Sequence, residues 1–529
     1  MGPWRCPAIG YRLIGPCVET RVEQSIGPLA TFRWTGLALG PILAALAYLL
    51  LPASVVSLQG EAVALAPAAR ALAAVGILMA VWWISEALPL EATALVPLAA
   101  FPVLGILPIK AAAAPYADPV IFLFMGGLIL GLSMERWGLH RRIALYTIRL
   151  VGTRPVMLVG GVMLSCAVMS MWVSNTATAV MMLPIGMSIA HLVRERLGEG
   201  QSALAGRFAT CLMLAVAYSA SIGGVGTIVG TPPNAVLAGI VNDPGNGIAP
   251  GLSFGRWMLI GIPMVAVFLP LAWLILTRLY RISAAPLPGL GTAIRAMMKD
   301  LGPMGRGEWA TFAVFMGAAL AWIAREPVVK LAAGRGWTLL AGLSDAGIAM
   351  IAALALFLIP VDLRRRVFAM DWEHAVKLPW GVLILFGGGL ALAEGMTSSG
   401  LSDYLAAAMK VQGLHPLLIV LLLTAGMVFL TEVASNTAVA TTFLPLALVL
   451  ARETGVHPYV LMIPLALACS YAFMMPMGTP PNALIFASRY VTIRQMAGAG
   501  VILNLAAILT ITVLCYFLAP ALIGYPVRP

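Results

Sequence analysis

The sequence predicts an all-α polytopic membrane protein: about 11 transmembrane helices and two re-entrant hairpins, arranged as two inverted repeats with broken helices at midplane. Three observations carry this expectation. Of 529 residues, 61% are apolar and only 10% charged, with a mean hydropathy of +0.96. The apolar residues run in stretches of about 20, which matches the hydrocarbon thickness of a bilayer. Three short motifs each occur twice, in the same order along the chain. A soluble protein of this size needs far more charge to cover its surface. A transmembrane β-barrel would alternate polar and apolar residues in strands of about ten.

Full apolar spans are expected near 36–58, 70–90, 92–108, 119–134, 208–228, 257–277, 309–324, 337–361, 379–396, 458–476 and 498–523. Segments 156–192 and 414–451 differ, because each is apolar but interrupted by Ser-Asn-Thr. Each is long enough for two helical legs, so each reads as a hairpin that enters the membrane and returns. Non-helical backbone at that depth is tolerable only where protein buries it or a cavity solvates it. Shorter apolar pieces after Gly-Thr-Pro-Pro-Asn, at 232–241 and 480–488, read as second halves of broken helices covering 208–241 and 458–488. The chain then divides into a cytoplasmic tail (1–35), a first half (36–280), a cytoplasmic linker (281–308) and a second half (309–529). Pro286, Pro288, Gly289 and Gly291 mark the linker. The first apolar run lies too far from Met1 for a signal peptide and is expected to be an uncleaved span.

The net charge of +11 suggests nucleic acid, but its distribution argues otherwise. With the N-terminus inside, 23 of the 32 Lys and Arg fall on inside segments, with Arg364-Arg365-Arg366 the sharpest cluster. That is the positive-inside rule, and it places the N-terminus in the cytoplasm of a plasma membrane protein. The bias holds only if both interrupted segments are re-entrant. Cys6, Cys17, Cys166, Cys211, Cys469 and Cys515 form no C-x-x-C pair, and the last four sit in apolar runs as small packing residues. The five histidines show no metal spacing, and no phosphate-binding loop for ATP is present.

The two halves repeat one another. Phe124-Met125-Gly126-Gly127-Leu128 recurs as Phe386-Gly387-Gly388-Gly389-Leu390, offset by 262. Ser174-Asn175-Thr176-Ala177 recurs as Ser435-Asn436-Thr437-Ala438, offset by 261, and Pro184 then matches Pro445. Gly230-Thr231-Pro232-Pro233-Asn234 recurs as Gly478-Thr479-Pro480-Pro481-Asn482, offset by 248. The first hairpin opens from the cytoplasm and the second from outside, so the repeat is inverted. Inverted repeats with broken helices meeting near midplane describe secondary transporters.

Ser-Asn-Thr supplies hydroxyls and an amide where a hairpin turns. The leg that starts there aims free N–H groups and a positive dipole end at the turn, which suits an anion. The leg that ends there leaves carbonyls suited to a small hard cation. In Gly-Thr-Pro-Pro-Asn, glycine allows close backbone approach and the prolines suit a helix start. Ser-Asn-Thr could instead merely cap helices. Two copies at bilayer depth, each paired with a second break, favour a binding site. Glu394 and Glu432 are the notable carboxylates within apolar stretches, whereas Glu86 and Glu91 flank Pro89 at a span end. No Lys or Arg lies within the tips, so an anionic substrate would rely on helix ends and bound cations.

On these residues the chain resembles the divalent anion/sodium symporter family, which includes dicarboxylate and citrate carriers. The resemblance rests on Ser170-Met171-Trp172-Val173-Ser174-Asn175-Thr176, on Thr431-Glu432-Val433-Ala434-Ser435-Asn436-Thr437, on both Gly-Thr-Pro-Pro-Asn motifs and on Trp83-Ile84-Ser85-Glu86-Ala87-Leu88-Pro89-Leu90, and it covers Leu37 to Leu522. It implies a homodimer with a scaffold domain and an elevator-like transport domain. It implies one sodium site from Ser170, Ser174, Asn175 and the loop around Gly223, and another from Thr431, Ala434, Asn436 and Gly478. Substrate carboxylates would contact Ser174, Asn175, Thr176, Ser435, Asn436, Thr437, Thr479 and Pro480. The implied activity is sodium-coupled symport of small dicarboxylates such as succinate, malate or fumarate, with no cofactor beyond the coupling ions. Exchange of dicarboxylates, or carriage of citrate, sulfate or another oxyanion, stays open. A channel would need a continuous polar pore, and an enzyme would need paired acid/base or metal ligands within the spans; the sequence offers neither.

Overall fold

A computed structural model of the chain describes residues 17–56, 62–152, 154–197, 201–283, 285, 290–337, 340, 342–408 and 414–527. Cys6, Pro286, Pro288 and Gly289, singled out above, lie outside these residues.

Among the described residues, nine helices are long and apolar enough to cross a membrane. Eight fall on expected spans: Arg33–Leu50, Pro67–Ser85, Ile109–Arg136, Ser202–Gly224, Phe254–Leu279, Arg306–Gly334, Trp380–Ser398 and Ile493–Ile523. The ninth, Asn175–Leu197, begins within the first Ser-Asn-Thr.

Three expected spans are shorter, and each has a local cause. Segment 92–108 forms only Leu90–Thr93 and Val96–Val103, broken at Ala94–Leu95 ahead of Pro97. A 14-residue rod rises about 21 Å, short of the roughly 30 Å hydrocarbon core. Segment 337–361 yields Asp345–Leu358, because Ser344 caps it by accepting from Gly347 N and Pro360 follows its end. Segment 458–476 yields Pro458–Ala468, after which the chain stays non-helical until Pro480. The first expected span extends the other way, as its helix runs back to Cys17.

The repeat is visible in how the helices start and touch. The legs before each tip, Pro155–Ser170 and Pro416–Leu430, both begin with proline at the first helical position, where a missing N–H costs nothing. Pro155 and Pro416 share the 261 offset of the tips. Phe124 and Phe386, matched positions in the two halves, pack edge to face with centroids 5.0 Å apart. Their neighbours Gly126 and Gly388 each let another backbone approach, that of Ala349 and Ala94 respectively; a Cβ at either would collide with it. Cys166, Cys211, Cys469 and Cys515 are free and buried. Among the described residues there are two short antiparallel strand pairs, Ser54–Val56 with Ala62–Ala64 and Pro360–Asp362 with Val367–Phe368.

Candidate functional site: two hairpin tips and two helix breaks around one cavity

The first tip is a turn between Ser170, the last residue of one helix, and Asn175, the first of the next. The second lies between Leu430 and Asn436. Capping explains part of the first tip, because Ser174 Oγ accepts from Ala177 N at 3.3 Å. It does not explain the second, where Ser435 makes no side-chain cap.

The two tips share one internal contact. Ser170 Oγ lies 2.6 Å from the Asn175 amide, and Thr431 Oγ1 lies 2.5 Å from Asn436 Oδ1. Around Asn175 the shell is entirely oxygen: Ser170 Oγ at 2.6 Å, the Ala220 carbonyl at 3.1 Å and the Gly230 carbonyl at 3.3 Å all face the same amide atom. Two things satisfy such a shell, the amide's own NH2 turned inward or a small cation held with the amide oxygen. Gly224 permits the approach, since a Cβ there would overlap the Asn175 side chain. Gly223 instead packs on the Ala167 backbone. The family resemblance implies a loop around Gly223 here; Gly224, Ala220 and Gly230 are the residues beside the amide.

The two helix breaks are also built alike. Asn234 Nδ2 donates to Thr227 O at 2.8 Å and Gly224 O at 3.4 Å. Asn482 Nδ2 donates to Met475 O at 3.1 Å and Ala472 O at 3.0 Å, the same contacts displaced by 248. Each Asn closes its Gly-Thr-Pro-Pro-Asn motif and clamps the unwound backbone before it. Thr479 caps the helix Pro480–Ala487 by accepting from Asn482 N at 3.3 Å. Both asparagines are fully buried.

A single cavity of about 900 Å³ gathers these parts. Ser174, Asn175, Thr176, Ser435, Asn436, Thr437, Gly478, Thr479 and Pro480 line it, together with Gly230, Thr231 and Pro232. Ser170, Thr431 and Ala434 are buried and do not line it; Ser170 and Thr431 bond the tip asparagines. Glu86, Glu91, Glu135 and Lys377 line the same cavity. Glu86 also pairs with Arg33 at 3.0 Å. Glu394 lies elsewhere, in a smaller cavity with Asp118 and Asp243. Glu432, 3% exposed, sits behind the second tip and accepts four hydrogen bonds.

Repeated broken helices that meet around one cavity define a secondary transport protein. The chain belongs to the sodium:sulfate symporter family, whose transmembrane-region model matches residues 41–523. Proteins named sodium-dependent dicarboxylate transporter SdcS are similar along nearly the whole length. The one from Staphylococcus saprophyticus is 40% identical over 498 residues, covering 93% of this chain and 92% of that protein. The one from Staphylococcus aureus strain MRSA252 is 40% identical over 510 residues, covering 95% and 94%. Among solved structures, the Alcanivorax borkumensis YdaH transporter matches with a TM-score of 0.55 at 18% identity, covering 95% of this chain and 100% of that one. Neisseria gonorrhoeae MtrF matches with a TM-score of 0.51 at 14% identity, covering 95% and 96%. At such identities these two speak to the fold alone.

Proposed function

We infer that the protein couples the downhill entry of sodium to the uptake of small dicarboxylates such as succinate, malate or fumarate. The carrying observation is the single cavity lined by both Ser-Asn-Thr tips and both helix breaks. Asn175, Pro232, Asn436 and Pro480 are the first residues of four helices, and all four line it, so four positive dipole ends meet at the cavity, with donor N–H groups from the two helices that begin at asparagine rather than from the two that begin Pro-Pro. The oxygen shell at Asn175 suits a sodium ion, and Ser170, Ser174, Asn175, Ala220, Gly224 and Gly230 supply or shape it. Thr431, Ala434, Asn436 and Gly478 form the second cation site. Ser174, Asn175, Thr176, Ser435, Asn436, Thr437, Thr479 and Pro480 contact the substrate. The relatives' name supports the dicarboxylate.

Glu135 and Lys377 adjoin the basic segments 136–154 and 361–377. The cavity therefore opens toward the cytoplasm, on the same side as the N-terminus, in an inward-facing state of a plasma membrane carrier. The segments around each tip act as re-entrant hairpins of an elevator-type transport domain in a homodimer. The tail 1–35, the halves 36–280 and 309–529 and the linker 281–308 keep the roles given above.

Succinate uptake into proteoliposomes tests this reading. Uptake driven by an inward sodium gradient, lost in potassium and independent of internal succinate, is the expected result. Uptake that needs internal succinate and ignores sodium would make the protein an exchanger. Sodium-driven uptake of sulfate or citrate in place of succinate would move the substrate and keep the coupling.

A further inference from the structure

The two helix breaks differ in one respect that the repeat does not require. At the offset of 248, Ala468 matches Ala220, yet the first-half helix continues to Gly224 while the second ends at Ala468. The second break is unwound one turn deeper. The N–H groups of Phe473, Met474 and Met475, which a continued helix would send back to its own carbonyls, point instead at one carboxylate. Glu432 Oε1 accepts from Phe473 N at 2.7 Å and Met474 N at 2.8 Å, and Oε2 accepts from Met475 N at 2.9 Å. Asn504 Nδ2 donates a fourth bond to Oε1 at 2.7 Å.

The first half has no such group. Met171 stands at the position of Glu432, next to the tip serine, as the tip offset of 261 requires. Gly261 and Gly500 both pack against the unwound backbone of their breaks, Gly261 on Val225 and Gly226, Gly500 on Phe473 and Met474. Matched through those glycines, Val265 stands where Asn504 is. A Met–Val pair in one half is a Glu–Asn pair in the other. The carboxylate is close to the tip: its residue follows Thr431, and a Cβ added at Gly478 would lie 3.0 Å from Oε2.

We propose that Glu432, held by Asn504, is the positioning residue of the second cation site. Three N–H dipoles turned onto the carboxylate are turned away from the site, so the backbone beside Thr431, Asn436 and Gly478 presents oxygen rather than hydrogen. The carboxylate also leaves a negative charge behind the site in a medium of low dielectric, where an opposite charge is favoured. The two cation sites are therefore chemically unequal: the first is neutral oxygen alone, the second is oxygen backed by a buried anion. This rests on the reading that both tips hold sodium.

The test uses the purified full chain and two readouts, sodium-dependent thermal stabilisation without substrate and the sodium dependence of succinate uptake. Choline chloride controls ionic strength. No sodium stabilisation of the unaltered protein would refute the underlying reading rather than this proposal. Given that response, the double variant Glu432→Met/Asn504→Val, which copies the first half, is expected to stay folded in choline. Its sodium midpoint should rise at least about tenfold, and its uptake should lose sodium cooperativity, as expected for loss of charge-assisted contacts at one of two sites. A midpoint and cooperativity equal to those of the unaltered protein would overturn the proposal. If the double variant does not fold, Asn504→Leu leaves Glu432 on its three backbone donors. It should raise the sodium midpoint by about threefold with the substrate KM at saturating sodium unchanged. An unmoved sodium midpoint there overturns the proposal equally.

Discussion

Replacing Asn175 by alanine removes the centre of the oxygen shell at the first tip. Without sodium, the amide NH2 is what satisfies Ser170 Oγ, Ala220 O and Gly230 O, at 2.6, 3.1 and 3.3 Å. The NH2 has two protons to share among these oxygens, and two hydrogen bonds at about 1 kcal/mol each give roughly 2 kcal/mol, which in a chain of this size lowers the unfolding temperature by a few °C. With sodium bound, the amide oxygen is a ligand, and losing a charge-assisted contact of about 1.5–3 kcal/mol weakens the ion by about 10- to 100-fold. Ligand linkage turns that loss into a smaller thermal shift at each sodium concentration. The assay is thermal unfolding of the purified protein, titrated with sodium chloride against choline chloride. Asn175→Asp supplies the opposite sign. A carboxylate among oxygens destabilises the sodium-free protein but binds the cation more strongly, so its sodium-induced shift should exceed that of the unaltered protein. A sodium midpoint for Asn175→Ala within about twofold of the unaltered value, outside the range worked above, would refute the assignment. So would an Asn175→Asp response that falls along with it, which is the pattern of a packing defect.

Three further outcomes follow from other contacts. Gly224→Ala should raise the sodium midpoint and shrink the thermal shift as Asn175→Ala does, because its Cβ would overlap the Asn175 side chain; Gly426→Ala, with nothing within 4 Å, should leave the response intact and stabilise its helix by about 0.5–1 kcal/mol. Arg142 donates to both Glu308 oxygens, at 2.9 and 3.2 Å, and to Gly302 O at 3.0 Å, with side chains only 9% and 13% exposed; Arg142→Ala should cost about 3 kcal/mol in thermal unfolding, and Arg142→Lys should not restore it. Partial burial pushes the Asp371 carboxyl up, but the His374 ring and N–H and the Arg136 guanidinium outweigh it and hold the group below the usual carboxylate range. A depressed carboxylate contributes stability that is present above its unfolded value of about 3.9 and lost as pH falls below that. Asp371→Asn should therefore lower the unfolding temperature near neutral pH, and the difference from the unaltered protein should close as the pH falls below the unfolded value and through the depressed folded one.

Much of this site could be read from the sequence because its parts are written twice. Ser174-Asn175-Thr176 and Ser435-Asn436-Thr437 meet in one cavity with Thr479 and Pro480, and Phe124 touches Phe386. Backbone direction was not readable. The Ala220 and Gly230 carbonyls face Asn175 because of how a helix ends, and no residue type records that; for the same reason Gly223 stood in for Gly224. The clamps by Asn234 and Asn482 did leave a signal, since both motifs end in Asn, but the sequence suggested tasks only for the glycine, threonine and prolines before it. Span lengths failed where apolar composition continued past a stop: Pro97 and the break before it divide 90–103, and the Glu432 carboxylate draws N–H groups out of the helix beyond Ala468.

The same geometry explains how a doubly charged anion could bind where no Lys or Arg stands at the tips. Four helices begin at the cavity, at Asn175, Pro232, Asn436 and Pro480. Each N-terminus carries about half a positive charge, so together they present roughly +2. That total matches a dicarboxylate, and it is divided equally between the two halves of the chain. It is a fixed charge, however, present whether or not sodium is bound, and so cannot by itself couple one to the other. Coupling requires that the helix ends be in place only when the ion is. Asn175 and Asn436 supply that link, because each is both the first residue of a helix facing the cavity and the side chain bonded to Ser170 or Thr431 behind the tip. A cation that fixes the amide fixes the start of the helix, and with it the N–H groups that meet the carboxylate. On this reading sodium contributes to anion affinity chiefly by ordering the tip, and by its charge second.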